Sequence, residues 1–252
     1  MRPTTIDELL WGISVAGQLL LLGVLVKRRL YSAFPLFCVY IAYASVSDGG
    51  FLILYSQLSQ IMAFRMFFLN QTIEFLLQIG ILLEVGRNVF NPVKRSLPRA
   101  SIYILGGILA AAAGITLLIS KQSQVSNLDR WVQYFVYVNF AVAVLRLAIF
   151  TGIAGFSQFL GIGWRNHVLQ IATGFLAYSI VVLVVELLHR HTGIASPLIY
   201  HIHEQFRIVS WCMVLGYWSY ALSRVEASRK EFSPKMAEFL VSLSGIARSK
   251  RR

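Results

Sequence analysis

Four of the five histidines in the chain, His189, His191, His201 and His203, fall within fifteen residues. Glu186 lies three residues before His189, and Glu204 three residues after His201. Imidazole nitrogens and carboxylate oxygens at such spacing are the usual donors of zinc and iron sites built between facing helices. His189, His203, Glu186 and Glu204 are therefore candidate ligands for Zn or Fe. Residues two apart on a helix point about 200° apart, so one imidazole of each neighbouring pair can turn inward. The same residues also suit a pH-responsive polar cluster or histidines solvated at a membrane surface.

A second constellation is carboxylates, amides and arginines placed inside long apolar stretches, where each costs free energy and needs a partner or a function. Asn70, Gln71, Glu74 and Gln78 share an arc of about 100° on a helix, and Tyr200, Glu204, Arg207, Trp211 and Trp218 an arc of about 60°. Ser179, Glu186 and His189 share another side. Asp48 precedes Gly49 and Gly50, a pair that can bend a helix or admit a close neighbour. Two readings follow. Internal ion pairs would set helix register, Arg207 with Glu204 or Glu186 and Arg65 with Asp48. Alternatively Asp48, Arg65, Asn70, Glu74, Gln78, Glu186, Glu204 and Arg207 line a ligand, ion or proton site, since four carboxylates outnumber two arginines in this set.

The elements that must position these residues follow from composition. The chain is 57% hydrophobic and only 13% charged, with a mean hydropathy of +0.65. Soluble domains carry about a quarter charged residues, so a cytosolic enzyme, a nucleic-acid-binding domain and a disordered scaffold are excluded despite the net charge of +12. Seven apolar runs, 9–26, 34–55, 61–85, 102–119, 131–151, 167–188 and 199–222, are long enough to cross ~30 Å of hydrocarbon. They lack the period-2 alternation of barrel strands, so they are expected to be helices. The fold expected is all-α, a polytopic seven-transmembrane-helix bundle over 1–222 with a basic cytoplasmic tail over 223–252. The first run has no small-residue cleavage site and is expected to remain as a helix.

Sixteen of the 23 basic residues fall on one side of this arrangement: Lys27, Arg28, Arg29, Arg87, Lys94, Arg95, Arg99, Arg165, Arg224 and the seven of the tail beyond it. Arg2, Lys121, Arg130 and Arg190 fall on the other. The positive-inside bias places the N-terminus outside and the C-terminus in the cytoplasm, a multi-pass plasma-membrane location. Asp48, Arg65, Glu186, His203, Glu204 and Arg207 then lie in the outer half, with Glu74 near the midplane, so the polar set opens outward. Spans 1 to 3 and 5 to 7 share no motif, which argues against an inverted-repeat transporter. Cys38 and Cys212 sit in spans as small core residues. Asn70-Gln71-Thr72 matches a glycosylation acceptor but lies within a span. Gly106, Ala110 and Gly114 form a small-residue row suited to close helix packing.

In the tail, Ser233 and Pro234 make a helix start. Met236, Phe239, Leu240, Leu243 and Ile246 then recur on one face. The chain closes on Arg248, Ser249, Lys250, Arg251 and Arg252, so a short amphipathic helix with a basic end is expected. Phe239, Leu240, Leu243, Arg248, Lys250, Arg251 and Arg252 are its candidate contacts with anionic inner-leaflet lipid; a cytoplasmic or membrane protein partner suits the same face.

Residues 31–37, Tyr-Ser-Ala-Phe-Pro-Leu-Phe, with Tyr40 and Tyr43, and residues 84–90, Glu-Val-Gly-Arg-Asn-Val-Phe, resemble a group of uncharacterised bacterial seven-helix membrane proteins. That resemblance implies the fold and no activity. Glu84 and Arg87 are read as an i, i+3 pair at the membrane boundary. Three functional classes remain. The first is a non-enzymatic sensor or membrane-complex component with an outward polar pocket and no resident cofactor. The second is a membrane metalloenzyme or redox protein using the His/Glu cluster. The third is a small-solute or ion carrier.

Overall fold

A computed structural model describes residues 5–54, 60–90, 166–192 and 197–225, with isolated helical positions between 140 and 152. The complete helices among the described residues are α1 (Thr5–Lys27), α2 (Pro35–Leu54), α3 (Gln60–Phe90), α4 (His167–Thr192) and α5 (Pro197–Ser223), with a 3-10 turn at Leu30–Ser32. The protein is all-α. Four stretches, Thr5–Lys27, Pro35–Leu54, Arg65–Asn88 and His167–Leu188, are long and apolar enough to cross a membrane, which marks a membrane protein. α5 is 27 residues long but falls outside that group because His201, His203, Glu204 and Arg207 dilute its first half. The expected span at 102–119, most of that at 131–151 and the tail beyond Val225 lie outside the described residues.

The chain divides into two compact units, 1–84 with 177–225 and 85–176 with 226–252. In the first, α1 opens with Asp7 and Glu8 and closes with Lys27, charges that complement the helix dipole at each end. Its buried face is Asp7, Ser14, Gln18, Leu21 and Leu25, a spacing of three, four and seven that makes one stripe. The stripe is polar towards the N-terminus and apolar towards the C-terminus.

α1 and α5 pack in parallel. Asp7 meets Gln205, Gly17 meets Leu215, and Arg28 meets Ser223, so the two helices advance together over about 30 Å. A Cβ at Gly17 would lie 3.3 Å from a Leu215 methyl carbon, and the absent side chain is what lets the helices approach. α2 runs antiparallel to both α1 and α3. Gly80 of α3 gives Leu36 of α2 the same room, since a Cβ at Gly80 would lie 3.2 Å from a Leu36 methyl carbon.

The α2/α5 core is aromatic. Phe37 meets Trp218 edge-on with ring centroids 5.1 Å apart, Trp218 meets Trp211 at 5.7 Å, and Trp211 meets Tyr40 at 6.2 Å and Tyr178 of α4 at 4.9 Å. Edge-to-face pairs at these spacings are favourable beyond the apolar area they bury. On the outside, Leu9, Leu20, Val46 and Ile53 are 62, 61, 76 and 71% exposed. So much exposed apolar surface is unfavourable in water and suits lipid.

In the second unit, Asn166 caps α4. Its side-chain oxygen accepts from the Val168 amide at 2.9 Å and its carbonyl from Gln170 at 3.0 Å. Phe150 and Phe175 stack with centroids 5.0 Å apart.

Candidate functional site

Two polar clusters lie within the apolar helices of the first unit. Gln18 of α1 is completely buried. Its Nε2 donates to Asp48 Oδ2 of α2 at 2.7 Å and reaches Ser14 Oγ at 3.5 Å. Among the described residues no donor reaches Gln18 Oε1, and no cation pairs with Asp48. The buried Gln18 amide oxygen is thus left without a donor beside a carboxylate that has an amide and no cation for a partner, a costly arrangement in an apolar surround.

The second cluster joins α2 to α3. Asn70 Oδ1 accepts from the Tyr43 hydroxyl at 2.7 Å and from Ser47 Oγ at 2.6 Å, and Asn70 Nδ2 donates to Glu74 Oε1 at 3.1 Å. Gln78 Nε2 donates to the Tyr40 hydroxyl at 3.3 Å. Tyr43 lies within electrostatic reach of both Asp48 and Glu74, which makes the two clusters neighbours. The polar stripe of α3 thus meets hydroxyl groups of α2, and Asn70 is the shared acceptor and donor.

Near the N-terminal ends of α1 and α5, Gln205 Nε2 donates to the buried Asp7 Oδ1 at 3.1 Å. Arg207 pairs with Glu204 at 2.8 Å, both side chains a little over a quarter exposed. Glu186 and His203 are half-buried.

Several expectations change. The Arg65–Asp48 ion pair does not form: Asp48 takes Gln18, and Arg65 is exposed on α3. Glu84 serves a purpose other than the pair expected with Arg87. Its Oε1 accepts from the Leu36 amide at 3.0 Å and its Oε2 from the Phe37 amide at 3.1 Å, the N2 and N3 donors of α2. Phe34, at the N-cap, has no side-chain acceptor, so a carboxylate from the neighbouring helix completes the cap. Among the described residues Gly49 and Gly50 admit no close neighbour, since a Cβ at either would meet nothing within 4 Å, and α2 runs on unbroken to Leu54.

Of the four clustered histidines, His203 has a described side chain, while those of His189, His191 and His201 lie outside the described set. Among the described residues no group of three His, Cys, Asp or Glu side chains is arranged to hold a metal ion. Cys38 and Cys212 are both free and half-buried. Gln18, Ser14, Tyr43, Ser47, Asp7 and Gln205 are site residues that spacing alone passed over.

These helices and their interior define an all-α membrane protein with polar clusters set in an apolar core. No protein-family profile, curated protein or solved structure matches the chain.

Proposed function

We propose that the chain is a seven-helix, multi-pass protein of a bacterial inner membrane, with its N-terminus outside, its C-terminus in the cytoplasm and an amphipathic basic helix at the end of the tail. It acts as a non-enzymatic sensor or membrane-complex component, and its polar interior receives a proton or a small polar ligand. The resemblance to uncharacterised bacterial seven-helix proteins is part of this reading. Parallel α1 and α5 support the topology, because parallel neighbours need an odd number of crossings between them and the five intervening runs supply it. The observation that carries the ligand reading is the contact between Gln18 and Asp48. The unsatisfied Gln18 amide oxygen and the carboxylate without a cation beside it are what a bound donor group or proton would complete. Asn70 and Glu74 form the adjoining wall.

The test is thermal unfolding of purified protein in neutral detergent, across pH 5 to 8 and against a panel of small polar solutes. A saturating ligand at a hundred times its Kd stabilises by about 2.7 kcal/mol. The reading expects a stabilising condition for the natural protein that Asp48→Asn removes. A response that Asp48→Asn retains in full, or no response to any condition, would overturn it.

A further inference from the structure

Parallel packing brings the basic C-terminal ends of α1 and α5 together. Lys27, Arg28 and Arg29 end α1, Arg224 follows α5, and all four are exposed. Two of them are held by protein groups. Arg28 donates to the Ser223 carbonyl, satisfying one of the last carbonyls of α5. The Arg224 guanidinium lies 4.3 Å from the centroid of the Tyr220 ring and donates to the Tyr220 hydroxyl, which fixes its position.

Arg29 poses a separate question. Its φ of 55° and ψ of 28° are left-handed, and it is the one non-glycine residue with positive φ among the described residues. Its amide donates to the Val26 carbonyl at 3.0 Å, which places it just past the end of α1, where glycine is the favoured residue. A side chain there opposes the backbone conformation, so what arginine adds at this position is its guanidinium. Tyr31, 51% exposed, follows two residues later, and Tyr220, 59% exposed, is the residue that holds Arg224; both are aromatic residues of the kind found at membrane–water boundaries. Val26, 58% exposed, continues the surface on the apolar side.

We propose that Lys27, Arg29 and Arg224 form a binding site for the phosphate headgroup of an anionic phospholipid, with its acyl chains lying against the apolar face that begins at Val26. Guanidinium groups bind phosphate oxygens in a forked geometry that a single ammonium lacks. Tyr220 holds one such fork in place, and the left-handed turn presents the other. The site rests on the membrane reading and is independent of whether the interior senses a ligand.

The experiment titrates purified protein in neutral detergent with short-chain phosphatidylglycerol or phosphatidylcholine and counts bound lipid by native mass spectrometry. The natural protein should retain phosphatidylglycerol in preference to phosphatidylcholine. Arg29→Gly should weaken phosphatidylglycerol binding about fivefold, the share of one cation near an anionic headgroup, while its melting temperature stays level or rises. Lys27→Gln should weaken binding by a similar factor. Equal retention of the two lipids, unchanged binding by Arg29→Gly, or a fall in its melting temperature would overturn the assignment. Displacement of phosphatidylglycerol by an equal concentration of inorganic phosphate would also overturn it, by giving the site to a free anion.

Discussion

Replacing Glu84 with Ala removes the carboxylate that caps α2 from α3. The Leu36 and Phe37 amides then lose their acceptor, and Glu84 is only 9% exposed, so water replaces it poorly. A lost side-chain cap costs about 1 kcal/mol, and a buried donor left without its charged acceptor adds about 1–3 kcal/mol. Together these put Glu84→Ala at about 2–4 kcal/mol. Glu84→Gln keeps one acceptor oxygen, so about half that loss is expected. Arg87 is exposed, and Arg87→Ala should change stability by no more than about 0.5 kcal/mol. Reversible unfolding in mixed micelles, titrated with a denaturing detergent, reads all three variants on one scale. An Arg87→Ala loss equal to that of Glu84→Ala would refute the cap and restore the pair of Glu84 with Arg87.

Asn70→Leu removes the acceptor of the Tyr43 and Ser47 hydroxyls and the donor to Glu74; the expected loss in the same assay is about 1–2 kcal/mol, and a stability equal to that of the natural protein would mean that the α2/α3 network contributes nothing. For Glu204 and Arg207, both more than a quarter exposed, a double-mutant cycle with Ala should give a coupling below about 1 kcal/mol, and a coupling of several kcal/mol would show the pair to be sealed from solvent.

Much of α3 was legible because Asn70, Glu74 and Gln78 interrupt an apolar run at helical spacing, and polar residues there must face protein. Their partners were harder to read. Tyr40, Tyr43 and Ser47 are ordinary residues in a membrane helix until a neighbour supplies the other half of the hydrogen bond. Gln18 did carry a signal, as the sole amide in the leucine-rich first run, and its partner Asp48 was singled out without it. Pairing Asp48 with Arg65 failed because charge balance alone cannot fix which helix faces which. The cap by Glu84 was foreshadowed by what Phe34 lacks, an N-cap side-chain acceptor ahead of Pro35. Glycine spacing likewise drew attention to Gly49 and Gly50, while close approach occurs at Gly17 and Gly80, since only packing decides which glycine faces a neighbour.

The meeting of the basic ends at Arg28 and the proposed topology both depend on α1 and α5 running side by side in parallel. A Cβ at Gly17 would lie 3.5 Å from the Leu215 Cβ, within the separation that a disulfide spans. Gly17→Cys with Leu215→Cys, made in a background with Cys38 and Cys212 replaced by Ser, should therefore close an intramolecular disulfide under mild oxidation in membranes, read as a mobility shift reversed by reductant. Failure of this pair to cross-link, with both single-cysteine variants folded and present in the membrane, would contradict the parallel packing of α1 and α5.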